Sequence, residues 1–182
     1  NHEKKFALRN IVESISESSC EDNDVIILLD GDDWFSSMGT LSKLNEVYSE
    51  LNCTMTYGSY VLSPGGNKGP EPSEYPKEVI KNNNFREDVW RASHLRSFKY
   101  KLWKNLDLED LKGDDGEYYP MTYDQAIMLP LLEMSSERSK FISDCLYVYN
   151  KENPLNVDKI KAQKQYELAK KIRAKKKYSR IV

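Results

Sequence analysis

Cysteine is scarce in this chain of 182 residues, which contains only Cys20, Cys53 and Cys145. The number is odd, the positions are scattered and no CxxC or Cys/His spacing occurs, so the sequence argues against a disulfide framework and a structural zinc site. It also lacks an apolar run near the roughly 18 residues of a membrane helix, and its N-terminus has no signal-peptide pattern. These absences predict a soluble protein of a reducing, cytoplasmic compartment.

The net charge is only −2, but the charged residues are distributed unevenly along the chain. Residues 151–182 hold eleven Lys or Arg and three Asp or Glu, giving +8, so the remaining residues carry −10. Such a basic tail could contact an anionic partner or a membrane surface, which would make the protein peripheral to a membrane. The alternative is a solvated helix face. We do not expect nucleic acid as a partner.

Hydrophobic periodicity predicts helices and strands in alternation, which is typical of an α/β fold with a mixed, mostly parallel sheet flanked by helices. We expect two parts, a main domain over residues 1–156 and a basic C-terminal helix over 157–182. The chain opens in a helix, whereas such folds normally begin with a strand, so we expect a domain that is incomplete at its N-terminus. The predicted helices are 4–18, 38–51, 93–106 and 123–135, and the predicted strands are 25–29, 54–62 and 140–150.

The most informative stretch is DVIILLDGDDWF, residues 24–35, in which a buried-looking strand ends in three aspartates. In open α/β sheets, ligands bind beyond the carboxyl ends of the strands. Clustered carboxylates repel one another unless a cation neutralises them, and hard oxygen ligands suit Mg²⁺ or Mn²⁺. Alternation puts Asp30 and Asp32 on the same side, and Gly31 lets a ligand approach the backbone. The pattern therefore predicts a metal site; the alternative is an acidic turn in which Asp33 or Ser36 caps the next helix.

A second cluster lies in the segment RASHLRSFK, residues 91–99. Arg91, Arg96 and Lys99 could surround a diphosphate, and His94 could be a further metal ligand or a phosphate contact. The alternative is that Ser93–Arg96 is simply the first turn of a helix. Among the tryptophans, Trp34 and Trp90 could stack on a sugar or a base, or belong to the core.

At these motifs the sequence resembles the family 2 glycosyltransferases, which have the GT-A (Rossmann-like) fold. The resemblance rests on ALRN followed by DVIILLDGDDWF, and more weakly on TYDQAIMLPLLE and on YVYN followed by NP. It covers about residues 3–156. It implies a metal-dependent, inverting transfer of a sugar from a nucleoside-diphosphate sugar, most readily a UDP-sugar, to a saccharide or other hydroxyl acceptor.

The resemblance also implies roles for individual residues. Asp32 would coordinate the divalent ion, and Asp30 would approach the ribose or sugar or reach the metal through water. Arg9 would lie near the diphosphate, where a guanidinium can pair with two oxygens. Asp124 would be the general base; the alternative for it is a helix N-terminal acid that interacts with the dipole.

Other functions compete with this interpretation. A GT-A-like module could bind or assemble without catalysis, using the basic tail to recruit a partner. A phosphohydrolase of the DxDx[TV] kind would need Thr or Val where this chain has Trp34, and a nucleotidyltransferase would usually need a glycine-rich phosphate loop, which the sequence lacks. The acidic residues Asp114, Asp115 and Glu117 are predicted to form a solvated loop, or a lid over the acceptor.

Overall fold

The protein is described from a computed structural model, which covers residues 5–153 and 162–181. Its helices are α1 Ala7–Ser16, α2 Thr40–Glu50, α3 Lys77–Asn82, α4 Tyr100–Trp103, α5 Tyr123–Ser135 and α6 Ala162–Arg173. Its strands are β1 Val25–Leu28, β2 Trp34–Phe35, β3 Met55–Ser63, β4 Arg96–Lys99 and β5 Ser139–Asn150. Two 3-10 turns, Leu108–Leu111 and Ser136–Arg138, complete the described structure.

Most of the predicted helices and strands are confirmed, and these are the segments with a strong hydrophobic periodicity. In α1 the buried residues are Leu8, Val12 and Ile15, at the spacing that places one face of a helix against a core. Pro130 lies inside α5 and does not end it. The predicted boundary between residues 156 and 157 lies outside the described residues, and the described part of the C-terminal helix begins at Ala162.

The helix predicted over residues 93–106 is wrong in its first half. Arg96–Lys99 is strand β4, and only Tyr100–Trp103 is helical. The strand pairs with β1 on one side and β3 on the other, so sheet hydrogen bonds override the local preference. Its buried Ser97 hydroxyl lies 2.6 Å from that of Thr56 and 3.0 Å from that of Tyr48, which satisfies polar groups inside the sheet.

The five strands form one mixed sheet in the order β1-β4-β3-β5-β2. Of the four pairings between described strands, only β3–β5 is parallel, which corrects the prediction of a mostly parallel sheet. The physical reason is β4, which was predicted as a helix and instead inserts antiparallel between β1 and β3. The strands β1, β3 and β5 nevertheless run in one direction, so their carboxyl ends lie at a common edge of the sheet.

Both faces of this sheet are covered, as expected for an α/β fold. One core contains α1, α5 and Ile172 of α6, together with Leu28 from β1. The other contains Leu44 and Tyr48 of α2. Because Ile172 is 2% exposed and belongs to the same core as α5, the C-terminal helix packs on the main domain.

Candidate functional site

A cleft of about 460 Å³ opens at the carboxyl edge of the sheet. We name it the acidic cleft, and its walls include five of the residues predicted from sequence: Asp30, Asp32, His94, Arg96 and Asp124. They come from three separate segments, the turn after β1, the approach to β4 and the first turn of α5. The fold therefore brings together most of the predicted site.

Asp30 follows β1 and is fixed by two neighbours. Its Oδ1 accepts a hydrogen bond of 2.6 Å from the hydroxyl of Tyr123, and its Oδ2 lies 3.6 Å from Nη2 of Arg96. Burial raises the pKa of Tyr123 well above its ordinary value, so the phenol remains a donor at neutral pH. The Asp30 carboxylate is thus held against a phenol and a guanidinium.

Asp33 is turned toward β5. Tyr147 donates its hydroxyl hydrogen bond to Oδ2, and the backbone N–H of Asn150 donates to Oδ1 at 2.7 Å. Burial raises the pKa of Asp33, while these two hydrogen bonds offset part of the rise. The alternative in which Asp33 or Ser36 caps the next helix is wrong, because α2 begins at Thr40 with Gly39 at its N-cap and no side-chain cap hydrogen bond.

Asp32 has the surroundings that best fit a metal ligand. Asn153 donates a hydrogen bond to its Oδ2, and within residues 5–153 and 162–181 the structure shows no hydrogen bond to its Oδ1. Mg²⁺ and Mn²⁺ commonly take one or two protein carboxylates and complete their shell with phosphates and water. Asp32 fits that requirement, whereas the role of Asp30 as a second oxygen donor stays a prediction, because Tyr123 and Arg96 already contact its two oxygens. The described residues contain no preformed group of three or more His, Cys, Asp or Glu ligands.

Arg96 is a buried cation beside the cleft. Its side chain is 3% exposed, its guanidinium carbon lies 5.8 Å from the centre of the Tyr123 ring, and its Nη2 lies 3.0 Å from Nδ1 of His94. Within the described part of the chain its Nε has no hydrogen-bond partner. The fixed positive charge of this guanidinium in the wall of the cleft favours an anion such as a phosphate.

His94 packs flat against Tyr147, with ring centres 4.2 Å apart. Desolvation, and then the charge of Arg96, lower its pKa well below the ordinary value, so the imidazole is neutral at neutral pH. The alternative that it sits in the first turn of a helix is wrong, since a strand follows it. Its role as a metal ligand stays a prediction, and the geometry favours a contact with Arg96.

Asp124 lies in the first turn of α5, where the helix dipole stabilises a carboxylate. It lines the acidic cleft and also an adjacent pocket, likewise of about 460 Å³. A carboxylate between two cavities can accept a proton from a group bound in either of them, provided that the group lies within hydrogen-bond reach. The general-base role stays a prediction that this position favours.

Two predicted arginines lie outside the acidic cleft. Arg9 on α1 pairs with Glu13 at 3.0 Å and lines a separate cavity of about 320 Å³. Arg91 pairs with Asp88 at 2.8 Å and donates a hydrogen bond to the hydroxyl of Ser73 at 2.9 Å. The proposed grouping of Arg91, Arg96 and Lys99 around one diphosphate is therefore not what the structure shows.

The other predicted residues fall into different surroundings. Trp34 is 46% exposed in β2, whereas Trp90 is half-buried and lines the adjacent pocket. The predicted solvated loop is exposed at Asp114, Asp115 and Glu117, and Asp114 pairs with Lys171 at 2.6 Å.

Sequence reasoning missed the residues that hold the aspartates. Tyr123 and Tyr147 were not predicted as site residues, although each donates a hydrogen bond to a carboxylate of the DGDD turn. Only their positions in the sequence could have indicated these two residues. Tyr123 directly precedes Asp124, and Tyr147 lies near the end of the last strand.

Comparison with known proteins provides no family assignment: no family model matches the sequence, and no curated protein matches it. Among the described residues, no helix combines the length and the apolar character needed to cross a membrane.

Proposed function

We propose that the acidic cleft binds the diphosphate of a nucleoside-diphosphate sugar, most readily a UDP-sugar, and that the protein transfers the sugar to an acceptor hydroxyl with inversion. The observation that carries this proposal is the convergence of Asp30, Asp32, Arg96 and Asp124 on one cleft from three segments of the chain. Carboxylates, a buried guanidinium and a further acid at the rim are the parts that such a transfer needs.

The donor side of the cleft would be built on Asp32 and Arg96. Asp32, with Asp30 as a second oxygen donor, would hold Mn²⁺ or Mg²⁺. The chemistry that such an ion supplies is the neutralisation of negative charge on a departing diphosphate. Arg96 would attract the phosphate oxygens through its positive charge beside the cleft, and Asp30 would keep the guanidinium in place through its 3.6 Å contact.

The acceptor side would depend on Asp124. The acceptor oxygen attacks the anomeric carbon from the face opposite the diphosphate, and its proton passes to the Asp124 carboxylate. The bond from the anomeric carbon to the diphosphate oxygen breaks, and its electron pair leaves with the diphosphate. One base is enough for this single displacement, and no covalent enzyme intermediate is formed.

Turnover of a panel of UDP- and GDP-sugars with Mn²⁺ tests the proposal. Asp124→Asn is expected to lower kcat by at least about 100-fold, because a general base contributes 10²–10⁴-fold. Asp144→Asn is the matched control, since Asp144 is an exposed carboxylate of β5 outside the cleft. Absence of turnover in the wild type, with no metal-linked nucleotide binding, would instead favour a non-catalytic binding or assembly module.

A further inference from the structure

The pocket next to the acidic cleft is lined by several aromatic side chains. We name it the aromatic pocket after four rings in its walls, those of Tyr60, Trp90, Tyr149 and Tyr166. Its volume of about 460 Å³ is within the range of small-molecule sites, about 300–1,000 Å³. Flat apolar faces of this kind bind rings with little loss of side-chain freedom.

Polar groups share the same walls. Gln125 and Gln165 contribute amides, Ser93 contributes a hydroxyl, and Glu71 and Lys151 add one charge of each sign. A sugar ring presents an apolar C–H face and a rim of hydroxyl groups, which matches rings and amides together. A purely apolar acceptor such as a lipid chain would take the exposed Glu71 carboxylate out of water without offering it a hydrogen bond, which is costly.

One wall of the aromatic pocket is α6, the helix that the sequence set apart as a basic tail. Ala162, Gln165, Tyr166 and Ala169 all line the pocket, and their spacing of three and four residues puts them on one face of the helix. The basic charge of α6 therefore does not by itself define the role of this helix.

This wall is firmly attached to the domain. Arg173 at the end of α6 donates hydrogen bonds from Nη1 to the carbonyl oxygens of Arg86 and Asp88, and from Nε to Gln125. Beneath it, Arg86 forms a two-point ion pair with Glu133 and also donates to the carbonyl of Ile172. These contacts anchor the C-terminal end of α6 to the domain.

The two cavities meet at four shared residues: His94, Asp124, Tyr149 and Gln165. We propose that the aromatic pocket is the acceptor subsite, that its ligand is a saccharide, and that Tyr166 of α6 is a specificity-determining platform for it. This rests on the proposed function, in which Asp124 takes the proton of the acceptor hydroxyl. An acceptor sugar in the aromatic pocket would bring that hydroxyl to Asp124 from the side opposite the donor.

Saccharide binding without any donor tests the inference separately. Ligand-observed NMR would be run on the full chain with maltose, cellobiose, lactose and chitobiose. We expect at least one to bind, Tyr166→Ala to weaken it about tenfold, and Tyr166→Phe to retain most of the affinity because the ring remains. Gln163→Ala, an exposed position on the same helix that does not line the pocket, is expected to match the wild type.

Mn²⁺-dependent UDP binding, measured on the same proteins, separates the two proposals. Lost saccharide affinity with unchanged UDP affinity in Tyr166→Ala supports the acceptor subsite. If none of the four saccharides binds, or if Tyr166→Ala binds them like the wild type, the inference is overturned. If the wild type binds a saccharide but neither UDP nor, in the same assay, GDP, the proposed transferase function fails while the saccharide pocket stands.

Discussion

The hydroxyl of Tyr123 donates a 2.6 Å hydrogen bond to the Asp30 carboxylate, joining the start of α5 to the turn after β1. The contact ties the residue before the candidate base to the first aspartate of the DGDD turn. One hydrogen bond therefore links two parts of the site that lie 93 residues apart in the sequence.

Removal of this bond should be measurable as lost stability. Tyr123→Phe leaves the Asp30 carboxylate with the more distant Arg96 contact, and we expect a loss of about 1–3 kcal/mol in the free energy of unfolding. Urea denaturation followed by circular dichroism measures it. Tyr100→Phe is the control, as a half-buried tyrosine for which no hydroxyl hydrogen bond is found within the described residues. Equal losses of stability in Tyr123→Phe and Tyr100→Phe would contradict the role assigned to the Tyr123 hydrogen bond.

The attachment of α6 depends on a buried ion pair between Arg86 and Glu133, whose side chains are 3% and 0% exposed. Arg86→Leu leaves the Glu133 carboxylate buried without its partner and should cost about 3–5 kcal/mol, whereas the double variant with Glu133→Leu should recover part of the loss. Thermal unfolding gives both values. Lys104→Ala, which removes a surface pair with Asp22, should stay close to the wild type. A tolerated Arg86→Leu would show that α6 is held by other contacts.

The lowered pKa of His94 predicts a specific pH dependence. The unfolded chain takes up a proton near the ordinary histidine pKa of about 6.5, while the folded state does so only at lower pH, so stability falls as pH drops below about 6.5. The slope from this one group is at most about 1.4 kcal/mol per pH unit. Histidine NMR across pH 4–8, with His94→Gln to assign the signal, should show an imidazole that stays neutral well below pH 6.5. A midpoint at 6.5 would refute the buried, Arg96-facing environment.

Sequence reasoning went furthest where one strong local pattern determined the structure. The aliphatic run before Asp30 was correctly predicted as a strand that delivers carboxylates to the edge of a sheet. It failed at Arg96, because a strand with a buried arginine and serine has no alternating apolar pattern and is stabilised by its neighbours on both sides. It could not find Tyr147, whose role depends on pairing between distant strands. Nor could it indicate that Tyr166 lines a pocket, since α6 has only a thin apolar stripe.

The central claim is that Asp32 holds the divalent ion that links the protein to a nucleotide diphosphate, and calorimetry of UDP binding with and without Mn²⁺ tests it most directly. We predict that Mn²⁺ tightens UDP binding to the wild type and to Asp144→Asn, and that Asp32→Asn folds normally but loses at least about tenfold of that metal-linked affinity. Metal-linked UDP binding that is unchanged in Asp32→Asn, or absent from the wild type, would contradict the claim.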